Sequence, residues 1–582
     1  MANLVRAGIR CFALVALITA CTAPAGPSGG SAPRAAGQDG SRATAPKRIT
    51  LSVAADLPSL RSQMSRAAGG ILPGAPDIEN VVHAGLGIID ERAVLRPQLA
   101  EAVPSIENGL WKLLPDGRME TTWKLREGAY WHDGTQFTTD DLLFSTQVLH
   151  DRELPLLRDV AYDYVDSVEA PDARTLVVTW RQPYIDADQL LSMAGTIQPL
   201  PLPRHLLERP YQDNKLGFSD LLYWSEEFVG AGPYKLREWF RGSYITLEAH
   251  DRYVLGRPKI NVIEVKLIPD PNTMMANVIA GAVDQPLGRG VSFDQGMQLR
   301  EQWREGRVEF APGSGLKIWP QLLTPNPAIV GDVRFRRALL HADDRQTLVD
   351  TLVLGQTEVA HTIVTPTDPE YSYIQSSIVR YDYDVRRAQQ IIESLGYARG
   401  SDGMFRDGSG QRLTVELRSS PQDILRKLKL SVADFWQTAG VGVSVVDDPA
   451  QLRADLEYRA TFPGFDISRV GSGAEAFRTF HSSEARTPQN RYAGQNSPNY
   501  VNQEFDALVE RYLVTVPRDE RLRTAGAIVH HMTDQVVVLD QFYDASATAV
   551  ANRILNASAK PSRGATNAWN IHEWDVRSSA PF

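Results

Sequence analysis

The chain has 582 residues, of which 43% are hydrophobic and 23% charged, and its formal net charge is −9. That length calls for two to four lobes, not one core, and the composition is a globular mixture. The negative balance argues against a general nucleic-acid binder and against adhesion to anionic lipid by charge alone.

Arg6 and Arg10 precede a short apolar run, Cys11 to Ala20. The run is too short to span a bilayer and reads as the core of a signal peptide over residues 1–20. It ends in Ile18-Thr19-Ala20-Cys21, which resembles a bacterial lipobox. Small residues there let a signal peptidase approach the backbone, and the Cys21 thiol is the predicted site of lipid attachment. Residues 21–47 follow as a stretch rich in Ala, Gly, Ser and Pro, with no large apolar side chain. Such a segment cannot bury a core and is expected to be a flexible tether. Cys11 and Cys21 are the two cysteines of the chain, so the body holds neither a disulfide nor a cysteine metal site. No later stretch is long and apolar enough for a transmembrane helix.

The folded part is expected from Arg48, where Ile49 to Val53 alternate as a strand. Further strands are predicted at Thr175 to Trp180, Tyr244 to Leu247, Val262 to Ile268, Leu413 to Leu417, Val443 to Val446 and Val536 to Leu539. Thr138 and Thr139 are good caps for a helix over Leu142 to Leu149. Asp332 caps a helix whose apolar face is Phe335, Ala338, Leu339 and Ala342. Asp384 caps another, with Ala388, Ile391, Ile392 and Leu395 on one stripe and Gly396 as its stop. Phe505, Leu508, Val509 and Tyr512 repeat the spacing. Helix and strand mixed along the whole length predict an α/β or α+β protein without a fixed-period repeat.

Catalytic signatures are missing from the sequence. There is no HExxH, no P-loop and no GxSxG elbow. Gly85 and Gly87 lack the third glycine of a dinucleotide fingerprint. His530 and His531 are adjacent on a predicted helix and diverge, which is poor geometry for one metal. His572 and Glu573 are isolated. A glycosidase-like carboxylate pair stays open, because 70 acidic residues place some carboxylates together by chance.

Several separated segments together resemble the large bacterial extracellular solute-binding proteins of the peptide, oligopeptide and nickel type, family 5. They are Leu125 to Ser145 (LREGAYWHDGTQFTTDDLLFS), Gly230 to Trp239 (GAGPYKLREW), Leu267 to Asp284 (LIPDPNTMMANVIAGAVD), Asp332 to Gly355, Tyr381 to Tyr397, and Asn502 to Leu513 with the segment leading to Tyr543. They occur in the family's order. Trp131-His132-Asp133-Gly134 reads as a tight turn, so His132 and Asp133 are turn residues more readily than ligands.

This resemblance implies a periplasmic-binding-protein-like type II fold, with two lobes, a hinge, and an extra domain inserted in the first lobe. Lobe I is expected from 48–91, 220–313 and 541–582, the inserted domain from 92–219 and lobe III from 314–540. Two strands crossing between the lobes form the hinge, and ligand sits in the cleft. The implied function is the substrate-binding lipoprotein of an ABC importer, with permease subunits as partners. It needs no cofactor, is a monomer, and works outside the cytoplasm on a lipid anchor. The alternatives are a solute-sensing receptor for a signalling partner and a secreted hydrolase on a similar scaffold. In peptide-binding members a carboxylate meets the peptide's ammonium. Along Asp466 to Glu475 (DISRVGSGAE), Glu475 falls on that position and Ser472 replaces the family's tryptophan. Asp466, Trp319 and Gln321, the last two just past the predicted hinge, complete the candidate set.

Overall fold

Arg48–Val53 forms the strand its alternation predicts, inside a five-stranded sheet. It pairs in parallel with Val262–Leu267 and with Gln285–Pro286. Tyr244–Ala249 and Tyr234–Phe240 extend the sheet antiparallel on one side. Leu51, Val53, Ile263 and Val265 join Ile78 and Val81 of the helix Ala75–Val82 in one buried cluster. This is lobe I. The computed structural model describes residues 46–577 except 65, 68, 69, 152, 155–160, 195–198, 289, 453, 454, 470–472 and 558–565, and the side chains of 66, 67, 70, 71, 450 and 475. The expected signal peptide, Cys21, the tether and Ser472 lie outside the described residues.

Between the strands of lobe I the chain builds a second body. Trp111–Leu113, Met119–Lys124, Thr175–Trp180 and Val165–Asp172 form an antiparallel four-stranded sheet with its own core around Trp123, Trp131, Leu142 and Trp180. The helix Thr139–His150 starts at Thr138, which forms a capping box with Asp141.

Histidines fasten this inserted body to lobe I. Gly134 turns the WHDG segment with φ 91°, and His132 then faces the Gly230–Pro233 stretch of lobe I. Its Nδ1 accepts from the Gly230 N–H at 3.1 Å and its Nε2 meets the Gly232 carbonyl at 3.1 Å. His83 Nδ1 accepts from Ala84 N–H and Ala231 N–H, while Nε2 meets the Pro201 carbonyl. His250 Nδ1 also reaches the Gly232 carbonyl, and its ring lies 5.0 Å from that of His132. The glycines are required here by space. A Cβ on Gly230 would stand 2.1 Å from the Val82 carbonyl oxygen, and one on Gly232 would stand 2.3 Å from the His83 nitrogen.

Lobe III has a second five-stranded sheet, ordered Gly442–Asp447, Thr414–Ser419, Phe465–Arg469, Gly306–Pro320, Leu539–Ala551. The first three strands are parallel and the last two antiparallel. One face packs Leu316, Ile318, Leu417, Phe465 and Ile467 against Trp436 of the helix Asp423–Ala439. The predicted helices fall into place as Val333–Ala342, Val385–Ser394 and Gln503–Val514. Each is capped by the acceptor side chain before it: Asp332, Asp384 and Asn502.

Gly306–Pro320 and Leu539–Ala551 are the long strands that join the lobes. Val308, Phe310, Ala547 and Val550 pack with the core of lobe I, whereas Leu316, Ile318, Leu539 and Phe542 belong to that of lobe III. Their pairing register shifts between Pro312 and Gly315, at the crossing. The expected Val536 to Leu539 strand is a misreading. Val536 adopts φ 43° in the turn after the helix Arg518–Asp534, and the strand runs from Leu539 onward. It is buried on nearly every residue, so its polar and apolar positions do not alternate as a half-exposed strand requires.

Candidate functional site

Alternation along the lobe III strands separates two faces. Opposite the Trp436 core, the neighbouring strands present Lys317 and Trp319, Glu416 and Arg418, Asp466 and Ser468. A polar sheet face beside a hinge is a place to hold a polar solute. Trp319 and Asp466 are cross-strand partners, so the sheet brings these two predicted residues together. Trp319 is 2% exposed and packs with Phe462, Phe477 and Phe480, its ring 5.8 Å from that of Phe480. Asp466 lies 3.9 Å from the Arg418 guanidinium. Burial pushes its carboxyl up to about 7, against the pull of Arg418. Arg418 in turn stacks over Tyr458 and Phe462.

Gln321 is committed elsewhere. Its Nε2 donates to the Ala460 and Phe462 carbonyls at 2.8 and 3.1 Å, and its Oε1 accepts from Leu323 N–H at 2.9 Å. The amide thus ties a loop at the strand's end. Glu475 is the second residue of the 3-10 segment Ala474–Phe480, and Gly473 N–H bonds the Ile363 carbonyl.

One ion pair and one facing pair of opposite charges at the crossing were not singled out in the sequence. Arg469 ends its strand with Nε 2.8 Å from Asp544 Oδ2 on the second crossing strand, and it donates to Gln422 Oε1 at 3.0 Å. Lys317 is wholly buried opposite Asp540. Burial raises the Asp540 carboxyl to about 6 while Lys317 and Arg345 lower it. The available signal was Arg469 inside the DISRVGSGAE run, a basic residue at the end of the strand Phe465–Arg469.

The corner therefore carries fixed charge of both signs beside a hinge. Among the described residues no group of three or more His, Cys, Asp or Glu is placed to hold a metal ion. His530 and His531 bond separately, to the Ser377 carbonyl and the Tyr500 hydroxyl. A surface cavity lined by Asp90, Arg92, Arg96, Trp569 and His572 shares no residue with this corner. No helix among the described residues is long and apolar enough to cross a membrane.

Two α/β lobes, two crossing strands and a domain inserted in the first lobe define a periplasmic-binding-protein-like fold of type II. The chain belongs to the bacterial extracellular solute-binding proteins, family 5 (Middle), whose family model matches residues 95–487. It is 23% identical over 507 residues to the oligopeptide-binding protein AppA of Bacillus subtilis, covering 86% of this chain and 87% of that protein. The same fold occurs in NikZ from Campylobacter jejuni, solved in complex with Ni(L-His). The TM-score is 0.72 at 20% identity, covering 90% of this chain and 99% of that one. It also occurs in Bacillus subtilis AppA solved with a nonapeptide, with TM-score 0.69 at 20% identity and coverage of 92% and 100%. The protein is accordingly the substrate-binding component of an ABC importer and not an enzyme.

Proposed function

We propose that the protein captures a short peptide in the cleft between lobes I and III and delivers it, by hinge closure, to the permease of an ABC importer while held to the membrane through a lipid on Cys21. The observation that carries this reading is the corner of charged side chains built beside the two crossing strands. Glu475 supplies the carboxylate for the ligand's ammonium, and Ser472 is the smaller residue where the family has a tryptophan. Trp319 and Asp466, cross-strand partners, belong to the same corner. Domain boundaries at 48–91, 92–219, 220–313, 314–540 and 541–582 go with this assignment.

A buried ammonium needs a partner charge to offset its lost hydration. The test is mass spectrometry of solutes released by denaturing freshly purified protein. Short peptides are expected, and the protein itself is expected to carry acyl mass on Cys21. Native protein should then bind the released peptides more tightly than their N-acetylated forms. Equal affinity for both forms would remove Glu475 from the site. Release of sugars or metal chelates alone would replace the ligand class.

A further inference from the structure

The inserted body touches lobe III as well as lobe I. Ile185 N–H, just past the Thr175–Trp180 strand, donates to the Leu513 carbonyl at 3.1 Å. Leu513 lies in lobe III, near the end of the helix Gln503–Val514. Val516, in the turn before Arg518–Asp534, is 7% exposed and buried in the inserted body's own hydrophobic cluster with Trp180, Tyr184 and Ala187. Ile185 packs in return against the Trp319, Phe505 and Val509 cluster. Arg521 donates to the Val516 carbonyl and is the charge that acts on the Asp188 carboxyl. Backbone, apolar and charged groups thus interlock the 184–188 segment with the 513–521 turn.

The mechanics follow from the connections. The histidine joint ties the inserted body to lobe I. At 1.5 Å per residue, the helix Arg518–Asp534 spans roughly 25 Å from the turn to its other end, which leads into the second crossing strand. Rotation at the crossing that parts the lobes therefore pulls Ile185 from Leu513 and Val516 from Tyr184.

We infer that the inserted body is a latch: its 184–188 segment grips the 513–521 turn of lobe III when the lobes close and is released when they open. This rests on the closure proposed above. Part of the closed state's stability then comes from residues that never meet the ligand.

The cysteine-free body makes a clean test. In the full chain with Cys11→Ser and Cys21→Ser, the pair Ile185→Cys and Leu513→Cys places one thiol on each side of the backbone hydrogen bond, to be joined by oxidation. X-ray scattering then compares protein as purified with protein stripped of ligand by denaturing and refolding. Stripped, reduced protein should have the larger radius of gyration, and oxidation should return it to the as-purified value. Val516→Asp, which buries a charge in the latch, should enlarge the as-purified protein without disulfides. If stripping enlarges the protein but the oxidised form stays as large, the inserted body travels with lobe III and the latch is wrong. If stripping, oxidation and Val516→Asp all leave one radius, closure itself fails and the latch falls with it.

Discussion

At the level of the single side chain, Gln321 is held by the fold, whereas Glu475 is the residue proposed to meet the ligand. The Gln321 amide donates to the Ala460 and Phe462 carbonyls and is fully buried. Gln321→Leu keeps the bulk and strands the Phe462 carbonyl and the Leu323 N–H, at a cost of about 1–3 kcal/mol per unsatisfied group, while the Ala460 carbonyl keeps its bond from Asn499. The expected outcome is a lower denaturant midpoint, with affinity for the released peptides nearly kept in the folded protein. An unchanged midpoint with lost affinity would return Gln321 to the ligand. Glu475→Gln should do the reverse. On the proposed function it removes the charge that meets the ligand's ammonium, so affinity should fall by about 2–5 kcal/mol with little change in midpoint. Trp319 belongs with Gln321, because its ring is part of the Phe462, Phe477 and Phe480 packing. None of this commitment was readable in the sequence. The position just past the crossing strand was visible, but which carbonyls and rings a side chain meets depends on the loops 460–464 and 474–480 folding back.

Elements that carry their own pattern were legible. Thr175–Trp180 was placed by its period of two, and the helices after Thr138, Asp332 and Asp384 by cap and stripe. The crossing strands were not, because Pro312, Gly313 and Gly315 break the pattern of the first and near-complete burial removes the alternation of the second. The histidine joint was half legible. His132 was read as a turn residue, and it also links two bodies. The joint needs neutral rings, because Nδ1 of His132 and of His83 each accept a backbone N–H. Burial, with His250 and Lys235 nearby, lowers the His132 pKa from 6.5 to about 3, against the Gly232 bond and Asp133. His83 is pushed well down by burial and Arg61. His250 is lowered by burial, Lys235 and Arg252, opposed by the Gly232 bond and Asp251. A depressed folded pKa means stability that is full above 6.5 and is lost as pH falls toward 3. From pH 6.5 to 5 the His132 proton alone accounts for about 2 kcal/mol. Thermal unfolding from pH 7 to 5 should therefore fall steeply, and His132→Asn should flatten the slope. An unchanged slope in that variant would remove His132 as the sensitive group.

At the scale of the whole molecule, the proposed closure makes the two cores, the two crossing strands and the inserted body one device. The order of segments from Leu125 to Tyr543 was enough to read the family and its two-lobed plan, because those turns and caps are local. Which solute enters was not legible, since Lys317, Arg418, Asp466 and Asp544 come from strands distant in sequence and Ser472 departs from the family's aromatic. The device has one requirement that does not depend on the solute's name: occupied and empty protein must differ in shape. The direct measurement is X-ray scattering of protein stripped by denaturing and refolding, before and after adding back the solutes its denaturation released. The account predicts a larger radius of gyration when stripped. Adding back the extract should restore the as-purified radius and raise the melting temperature, because a ligand of the native state adds RT ln(1 + [L]/Kd) to stability. A radius and a melting temperature that both stay the same on adding back the extract would contradict capture by closure.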